Sequence, residues 1–284
     1  MTEDTFAKLQ FFELTRDGAV ARLAMNRPDK ANGMTPAFWA ELPQVVAALD
    51  ADPSVRALVI CGNGKHFTGG MDLANFQGIL SLIQNEPGRA AYALRRLVLS
   101  LQDSFTALEE CRLPVIAAIH GACIGGGIDM ISACDIRLAS QDAFFSIEEI
   151  NIGMAADVGT LQRLPKLVAP GIVKELAYTG RRFTAGEAQV WGFVNEVLAD
   201  RQAVEARAMQ LAHEIAAKSP LAIAGTKKAI DHARDHSVRD SLEHMATWNA
   251  GMLRPEDLTT AMQAKMTQKE AVFADLLADA ALGG

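Results

Sequence analysis

The chain has 284 residues and a net charge of −7; half of its residues are hydrophobic and 21% are charged. This composition is typical of a globular protein with a sizeable core and excludes a disordered chain. The acidic balance argues against a nucleic-acid partner, because no basic surplus can neutralise phosphates, and no apolar run has the length of a membrane-spanning helix.

The chain ends and the cysteines bear on cellular location. The first residues, MTEDTFAKLQ, form neither a signal peptide nor an Arg-rich transit peptide, and the last residues, ALGG, match no targeting signal. Cys61, Cys111, Cys123 and Cys134 lie in apolar stretches without CxxC spacing. This pattern is typical of reduced core thiols, and we therefore expect a cytoplasmic protein.

The first half of the chain alternates short strands with helices. Asp17-Gly18 separates residues 11–16 from 19–26 and is a strong β-hairpin signal. Thr35 is a suitable N-cap and Pro36 a suitable first residue for a helix that runs to residue 49. The remaining patterns predict strands at 56–61, 113–121, 135–140 and 143–147 and an amphipathic helix at roughly 88–110. Together they predict an α/β (α+β) fold of ββα or βα units, with sheets covered by helices.

The composition changes at about residue 200. From 201 to 281 the pattern is nearly all helical, with Ser219-Pro220 and Arg254-Pro255 as boundaries. We therefore expect a core with the active site at 1–199 and a helical region at 200–284, packed on that core or on a neighbouring subunit. An apolar cluster in that region fits either intramolecular core or subunit contact; it comprises Met245, Trp248, Met252 and Leu253.

Three acidic residues stand in apolar surroundings: Asp129 in GGGIDMISA, Glu149 in FFSIEEINIG and Asp157 in GMAADVGTL. A carboxylate there has a raised pKa or needs a partner, so the three are candidates for proton transfer. Each also fits an ordinary role. Asp157 suits a helix N-cap, Asp129 suits a first helical turn, and one of the adjacent Glu148 and Glu149 would usually be solvated.

Two glycine-rich turns offer main-chain donors. Gly125-Gly126-Gly127 follows a predicted strand and precedes a helix-like run, and Gly69-Gly70 stands in a similar turn after strand 56–61. At such turns a ligand reaches free N–H groups, and two turns directed at one oxygen form an oxyanion hole. Each donor contributes about 3–4 kcal/mol to a developing enolate. For either cluster alone, a tight turn with close helix packing is an equally good explanation.

Other catalytic motifs fail. GACIGGG lacks dinucleotide-binding spacing, and GNGKH at 62–66 lacks the first glycine and the Ser or Thr of a phosphate loop. No Gly-x-Ser-x-Gly motif or plausible Cys-His pair supplies a covalent nucleophile. The histidines are scattered, and His232 and His236 lie amid helix-surface charges. We therefore expect acid–base chemistry without a metal or a separate cofactor.

At these residues the chain resembles the crotonase, or enoyl-CoA hydratase/isomerase, superfamily. The resemblance covers nearly the whole chain, through NRPDKANGM (26–34), HFTGGMDL (66–73), LPVIAAIHGACIGGGIDM (113–130), ACDIRLAS (133–140) and TGRRFTAGEAQVWGFVNEV (179–197). It implies a spiral of ββα units, a helical C-terminal trimerisation region, and a homotrimer or dimer of trimers. It also implies an acyl-CoA substrate whose thioester carbonyl binds the N–H groups of Met71 and Gly126.

Within the superfamily, the acids separate the members. Hydratases carry Glu immediately after GGGx and a second Glu about twenty residues later, whereas this chain has Asp129, Glu149 and an additional Asp157. These three acids, together with DHSVRDSLEHMATWN (235–249), are similar to the Δ3,5-Δ2,4-dienoyl-CoA isomerases. The resemblance implies Asp157 as the base at C2, Glu149 as the acid at C6, and Asp129 as their support.

The rest of the substrate contacts also follow from the resemblance. Gly70, Asp72, Leu73 and Gly127 surround the two donors, and Arg27 and Lys30 stand in the segment that the family uses at the adenine end of CoA. Residues 74–95 are expected to shape the acyl pocket. Four apolar side chains there suit an apolar tail: Ile79, Leu80, Leu82 and Ile83.

Two other functions remain open. The same superfamily includes hydration and Δ3-Δ2 single-bond isomerisation, for which Glu149 and Asp129 would suffice. A non-catalytic acyl-CoA-binding protein on the same fold is a third hypothesis.

Overall fold

The computed structural model describes residues 9–72 and 74–278. The strands in this part are β1 (Phe12–Asp17), β2 (Val20–Met25), β3 (Ala57–Gly62), β4 (Val115–Ile119), β5 (Ala122–Ile124), β6 (Ile136–Ser140), β7 (Phe144–Ser146), β8 (Phe183–Thr184) and β9 (Glu196–Leu198). The helices are α1 (Pro36–Ala51), α2 (Ala74–Ile83), α3 (Pro87–Glu110), α4 (Gly126–Ser132), α5 (Thr160–Leu167), α6 (Pro170–Thr179), α7 (Ala185–Val190), α8 (Arg201–Ala216), α9 (Pro220–Asp235), α10 (Val238–Met252) and α11 (Pro255–Thr267). Two 3₁₀ helices, Pro28–Lys30 and Glu148–Ile152, complete the described elements.

Two sheets organise the fold. The larger has the order β1-β2-β3-β4-β6-β9, with an antiparallel β1–β2 hairpin and parallel pairing from β2 to β9. The smaller has the order β5-β7-β8. This arrangement confirms the predicted mixed architecture, including the hairpin, in which Asp17 pairs with Val20 and Gly18 takes a positive φ of 57°.

The larger sheet is buried on both faces. Side chains alternate along β3, so that Leu58 and Ile60 face the main core beneath α1 and α3, while Val59 faces α8. The α8 face is covered by small residues, including Ala208 and Ala212. Burial on both faces explains why the central strands are almost continuously apolar.

Helix α8 belongs to the packed core although it follows the composition change at residue 200. It buries Val204, Ala208, Ala212 and Ala216 against the sheet. The domain boundary at 199/200 stays a prediction, and the region beyond it contains both this core helix and helices α10 and α11, which bury no residue.

The helical prediction is wrong for residues 268–278, and its last residues, 279–281, lie outside the described part of the chain. Gln268 takes a left-handed conformation with φ 53° and ends α11, and no helix forms between residues 268 and 278. The Arg56 guanidinium holds this segment against the core, because it donates to the carbonyl of Phe273 at 2.7 Å and to the Asp275 carboxylate at 2.7 Å.

Candidate active site

A cavity of about 600 Å³ lies where the segment 69–71 and the start of α4 meet α2 and α3. Asp129, Glu149 and Asp157 all line it, together with Glu148. The rest of the lining is mainly apolar and includes Trp39, Met71, Phe76, Leu94, Leu97, Val98, Leu101, Ile124, Met154 and Val158. Fold and cavity thus gather the three acids that the sequence singled out.

The Met71 main chain leaves its N–H unused. Met34 forms a parallel bridge with Met71, in which Met34 N–H donates to the Gly70 carbonyl at 2.8 Å and Asp72 N–H donates to the Met34 carbonyl at 3.0 Å. In such a bridge the N–H and C=O groups of Met71 point away from Met34. Among the residues described, the Met71 N–H has no acceptor.

Gly126 supplies a second N–H beside the first, and this N–H likewise has no acceptor in the described part of the chain. It is the first residue of α4, where an N–H has no partner within the helix. A Cβ on Gly126 would lie 4.0 Å from the Met71 nitrogen, and a Cβ on Gly70 would lie 3.7 Å from the Gly126 nitrogen. The two donors therefore stand side by side. Gly70 is required here, since its φ is 86° and a Cβ would meet the Ile124 carbonyl oxygen at 2.7 Å.

Asp129 is the most deeply buried of the acids, with 1% of its surface exposed. Its Oδ1 accepts the main-chain N–H of Thr160 at 2.6 Å, at the start of α5. Burial raises the pKa of Asp129 to about 6, although the hydrogen bonds from Thr160 oppose this rise. The Thr160 N–H therefore favours the ionised form of a carboxyl whose burial favours the neutral form.

Glu149 lies against the glycine turn that supplies the Gly126 donor. Its Oε1 is 3.1 Å from the position of a Cβ on Gly125, and its buried Oε2 has no hydrogen-bond partner among the described residues. Burial, followed by the negative charge of Asp129, raises the pKa of Glu149 to about 7. A carboxyl with this pKa can either take up or release a proton at neutral pH.

Asp157 belongs to a different wall of the cavity. It lies in a segment without helix or strand, residues 154–157, whose carbonyl oxygen at Asp157 accepts the Gln102 Nε2–H of α3 at 2.6 Å. Burial raises the pKa of Asp157. Asp157 is not a helix N-cap, because Gly159 occupies that position before α5.

Residues 15–275 match the protein-family model described as enoyl-CoA hydratase/isomerase. The chain belongs to the enoyl-CoA hydratase/isomerase family. The peroxisomal Delta(3,5)-Delta(2,4)-dienoyl-CoA isomerase of Arabidopsis thaliana is 43% identical over 97% of this chain and 100% of its own length. The mitochondrial enzyme of that name from Rattus norvegicus is 46% identical over 88% of this chain and 77% of its own length. A solved structure of a putative enoyl-CoA hydratase from Streptomyces coelicolor A3(2) has a TM-score of 0.86 at 27% identity, covering 94% of this chain and 95% of that one.

The predicted substrate contacts Asp72, Arg27 and Lys30 do not line the cavity. The Asp72 Oδ2 lies 3.1 Å from the Arg27 Nη1, and Arg27 also donates to the Gly33 carbonyl at 2.9 Å. Arg27 therefore stabilises its own loop. Lys30 is exposed on the same loop. Leu73 lies outside the described residues.

Gly127 serves packing rather than the cavity. It is buried in α4, and a Cβ there would meet Thr68 Cγ2 at 2.6 Å and Cys123 Sγ at 3.0 Å. Its expected place among the substrate contacts is therefore not supported by the geometry, since the missing side chain faces protein.

The apolar wall of the cavity agrees in part with the prediction that residues 74–95 shape the acyl pocket. Ile79, Leu80 and Ile83 line the cavity, and Leu82 does not. Sequence reasoning missed Trp39 and the second half of the wall, which α3 supplies through Leu97, Val98 and Leu101. Their spacing at i, i+1 and i+4 on a predicted amphipathic helix was the available signal.

Other candidate sites are weaker. Within the described ranges, no group of three His, Cys, Asp or Glu side chains is arranged to hold a metal ion. His232 stacks on His236 with ring centroids 3.8 Å apart, on the α9 surface. None of the helices in the described part of the chain is long and apolar enough to span a membrane.

Proposed function

We propose that this protein is an acyl-CoA isomerase that converts 3,5-dienoyl-CoA to 2,4-dienoyl-CoA. The observation that carries the proposal is the third acid. Asp157 lines the same cavity as Asp129 and Glu149, and that cavity also contains the Met71 and Gly126 main-chain donors. The names of the relatives from Arabidopsis thaliana and Rattus norvegicus support the same reaction.

The reaction begins at the thioester. The Met71 and Gly126 N–H groups bind the carbonyl oxygen, so that loss of a C2 proton gives a dienolate stabilised by two hydrogen bonds. The electron pair moves along the conjugated system to form C2=C3 and C4=C5 bonds, and C6 takes up a proton. One proton leaves C2 and one arrives at C6. No electron acceptor is needed, so we propose that no cofactor takes part.

The positions of the two carboxyls favour Glu149 at C2 and Asp157 at C6. C2 is bonded to the thioester carbonyl carbon, and its base must therefore stand next to the carbonyl donors. Glu149 packs against the glycine turn that carries Gly126, whereas Asp157 is attached to α3. This assignment reverses the one that the resemblance implies. In the assignment proposed here, Glu149 and Asp157 share one proton. In the reactive form of the enzyme that proton is on Asp157.

The remaining predicted roles stay part of the proposal. Asp129 supplies a fixed negative charge beside Glu149 and holds the start of α5 through Thr160. Lys30, which is exposed, would meet the phosphate or adenine end of CoA, and Arg27 would shape that loop. We also propose a homotrimer or dimer of trimers. A cytoplasmic location stays a prediction, and the names of two relatives assign those proteins to peroxisomes and mitochondria.

Two variants test the function and the division of labour. The purified protein should form the conjugated 2,4-dienoyl product, followed by absorbance, and C2 deuterium uptake from D₂O should be followed by NMR. Asp157→Asn should lower isomerisation by at least about a hundredfold while C2 exchange continues. Glu149→Gln should abolish both.

Each contrary result has a distinct meaning. Loss of C2 exchange in Asp157→Asn with its retention in Glu149→Gln would restore the assignment implied by the resemblance. Hydration of 2-enoyl-CoA without isomerisation of 3,5-dienoyl-CoA would replace the proposed reaction by a hydratase. Acyl-CoA binding without either turnover would indicate a binding protein.

A further inference from the structure

Helix α3 carries two neighbouring stripes of side chains, one apolar and one polar, which line two different cavities. Its apolar stripe, which includes Leu94, Leu97, Val98 and Leu101, lines the cavity. Its polar stripe consists of Gln102, Thr106 and Glu109, at i, i+4 and i+7, and lines a separate polar cavity of about 360 Å³. Residues at this spacing lie on one face of a helix.

The polar stripe binds the segment that carries Asp157. Gln102 Nε2–H donates to the Asp157 carbonyl oxygen at 2.6 Å. Six residues later, Arg163 Nη2–H donates to Thr106 Oγ1 at 3.1 Å and Arg163 Nε–H donates to Glu109 Oε2 at 3.0 Å. The Arg163 and Glu109 side chains are only 14% and 16% exposed, so this ion pair is largely shielded from water. One helix therefore fixes both ends of residues 157–163.

Gln102 holds the main chain at Asp157 through its hydrogen bond to the carbonyl oxygen. No helix or strand includes residues 154–157, and the hydrogen bond that lowers the pKa of the Asp157 carboxyl comes from its own main-chain N–H. The opposite side of the segment is fixed at Thr160, whose N–H binds Asp129. Gln102 is therefore the contact that fixes the main chain at Asp157 itself.

We propose that Gln102 is a positioning residue for Asp157, holding its main chain so that the carboxyl reaches the distal carbon of the substrate. The inference rests on the proposed isomerase function. The neighbouring residues Leu101 and Gln102 then have separate roles. Leu101 contacts the cavity that would hold the acyl chain, and Gln102 positions Asp157 beside that chain. A misplacement of about 1 Å at a reacting group costs up to about a hundredfold in rate.

The test is Gln102→Met, which keeps the side-chain length and removes the N–H donor. We expect kcat for 2,4-dienoyl-CoA formation to fall about 10- to 100-fold, with KM nearly unchanged. C2 deuterium exchange of the 3,5-dienoyl substrate should stay within about threefold of the parent protein, because Glu149 is untouched. Gln162→Met is the matched control. Gln162 lines the same polar cavity and is exposed, and it should behave like the parent protein in both assays.

A second variant guards against a folding defect. Gln102→Glu keeps the shape and removes the donor, and thermal unfolding of both variants identifies any that do not fold. Equal loss of exchange and isomerisation, or no loss of either, in a folded variant would overturn the positioning role. A parent protein that neither exchanges C2 nor isomerises would instead refute the proposed function.

Discussion

Asp129 shows how one buried charge sets the behaviour of another. The Thr160 N–H stabilises the carboxylate of Asp129 in a site where burial would otherwise favour its neutral form. That charge, second only to burial itself, raises the pKa of Glu149. The reacting pair, Glu149 and Asp157, therefore keeps one proton up to near-neutral pH, which the reaction requires whichever carboxyl faces C2.

The pH dependence of activity should report this shared proton. We expect kcat/KM to fall as the pH rises through about 7, because the pair then loses the proton that C6 must receive. Asp129→Asn removes the neighbouring charge and lowers the pKa of Glu149, so the falling limb should move to lower pH. The measurement is the pH profile of kcat/KM for both proteins.

The control for this shift is Glu148→Gln. Glu148 lines the cavity as well, but its charge is the smallest of the causes that raise the pKa of Glu149. The falling limb of the pH profile should move less in Glu148→Gln than in Asp129→Asn. A limb in Asp129→Asn that stays in place or moves to higher pH contradicts the coupling.

At the residue scale, the sequence predicted the acids better than their arrangement. Asp129, Glu149 and Asp157 were recognisable because carboxylates are rare among apolar neighbours. The division of labour was not, since it depends on which wall of the cavity each side chain joins. Gln102 gave no signal at all, because an amide on a helix surface acquires its role only from the main chain that packs against it.

Helix α8 carries the same lesson at the scale of an element. The pattern of residues 201–216 predicted a helix, and the composition change at 200 predicted a helical region packed on the core or on a neighbouring subunit. The helix takes the first of these places and closes one face of the larger sheet with Val204 and three alanines. Small residues permit this close approach, and neither propensity nor periodicity identifies the partner surface.

The core position of α8 predicts the effect of enlarging its buried face. Ala208 is fully buried, and Ala208→Leu should reduce the free energy of unfolding by about 1–3 kcal/mol, because the added atoms have no space. Ala206 is exposed on the same helix, so Ala206→Leu should have an effect within about 0.5 kcal/mol. Urea unfolding of the two variants measures the difference. Equal stabilities would mean that α8 does not pack tightly on the sheet.

At the scale of the whole molecule, the apolar surface is unevenly distributed. Helices α10 and α11 bury no residue in the single chain. They nevertheless carry large apolar side chains that are 41% to 84% exposed, namely Leu242, Met252, Leu258, Met262 and Met266. Large exposed apolar side chains concentrated on two helices are typical of a surface that contacts another protein. The proposed self-association would bury it.

The proposed assembly predicts a mass that charge can reduce. Light scattering of the purified protein should give three or six times the 30.5 kDa of one chain. Leu242→Glu combined with Met262→Glu should give smaller species, because two carboxylates would be buried without partners at the contact. These side chains are 66% and 63% exposed in the single chain, so the substitutions leave its core intact. Val190→Glu changes an 84% exposed residue on α7 and should keep the parent mass. A parent protein of 30.5 kDa would refute the assembly, and a double variant of unchanged mass would place the contact elsewhere.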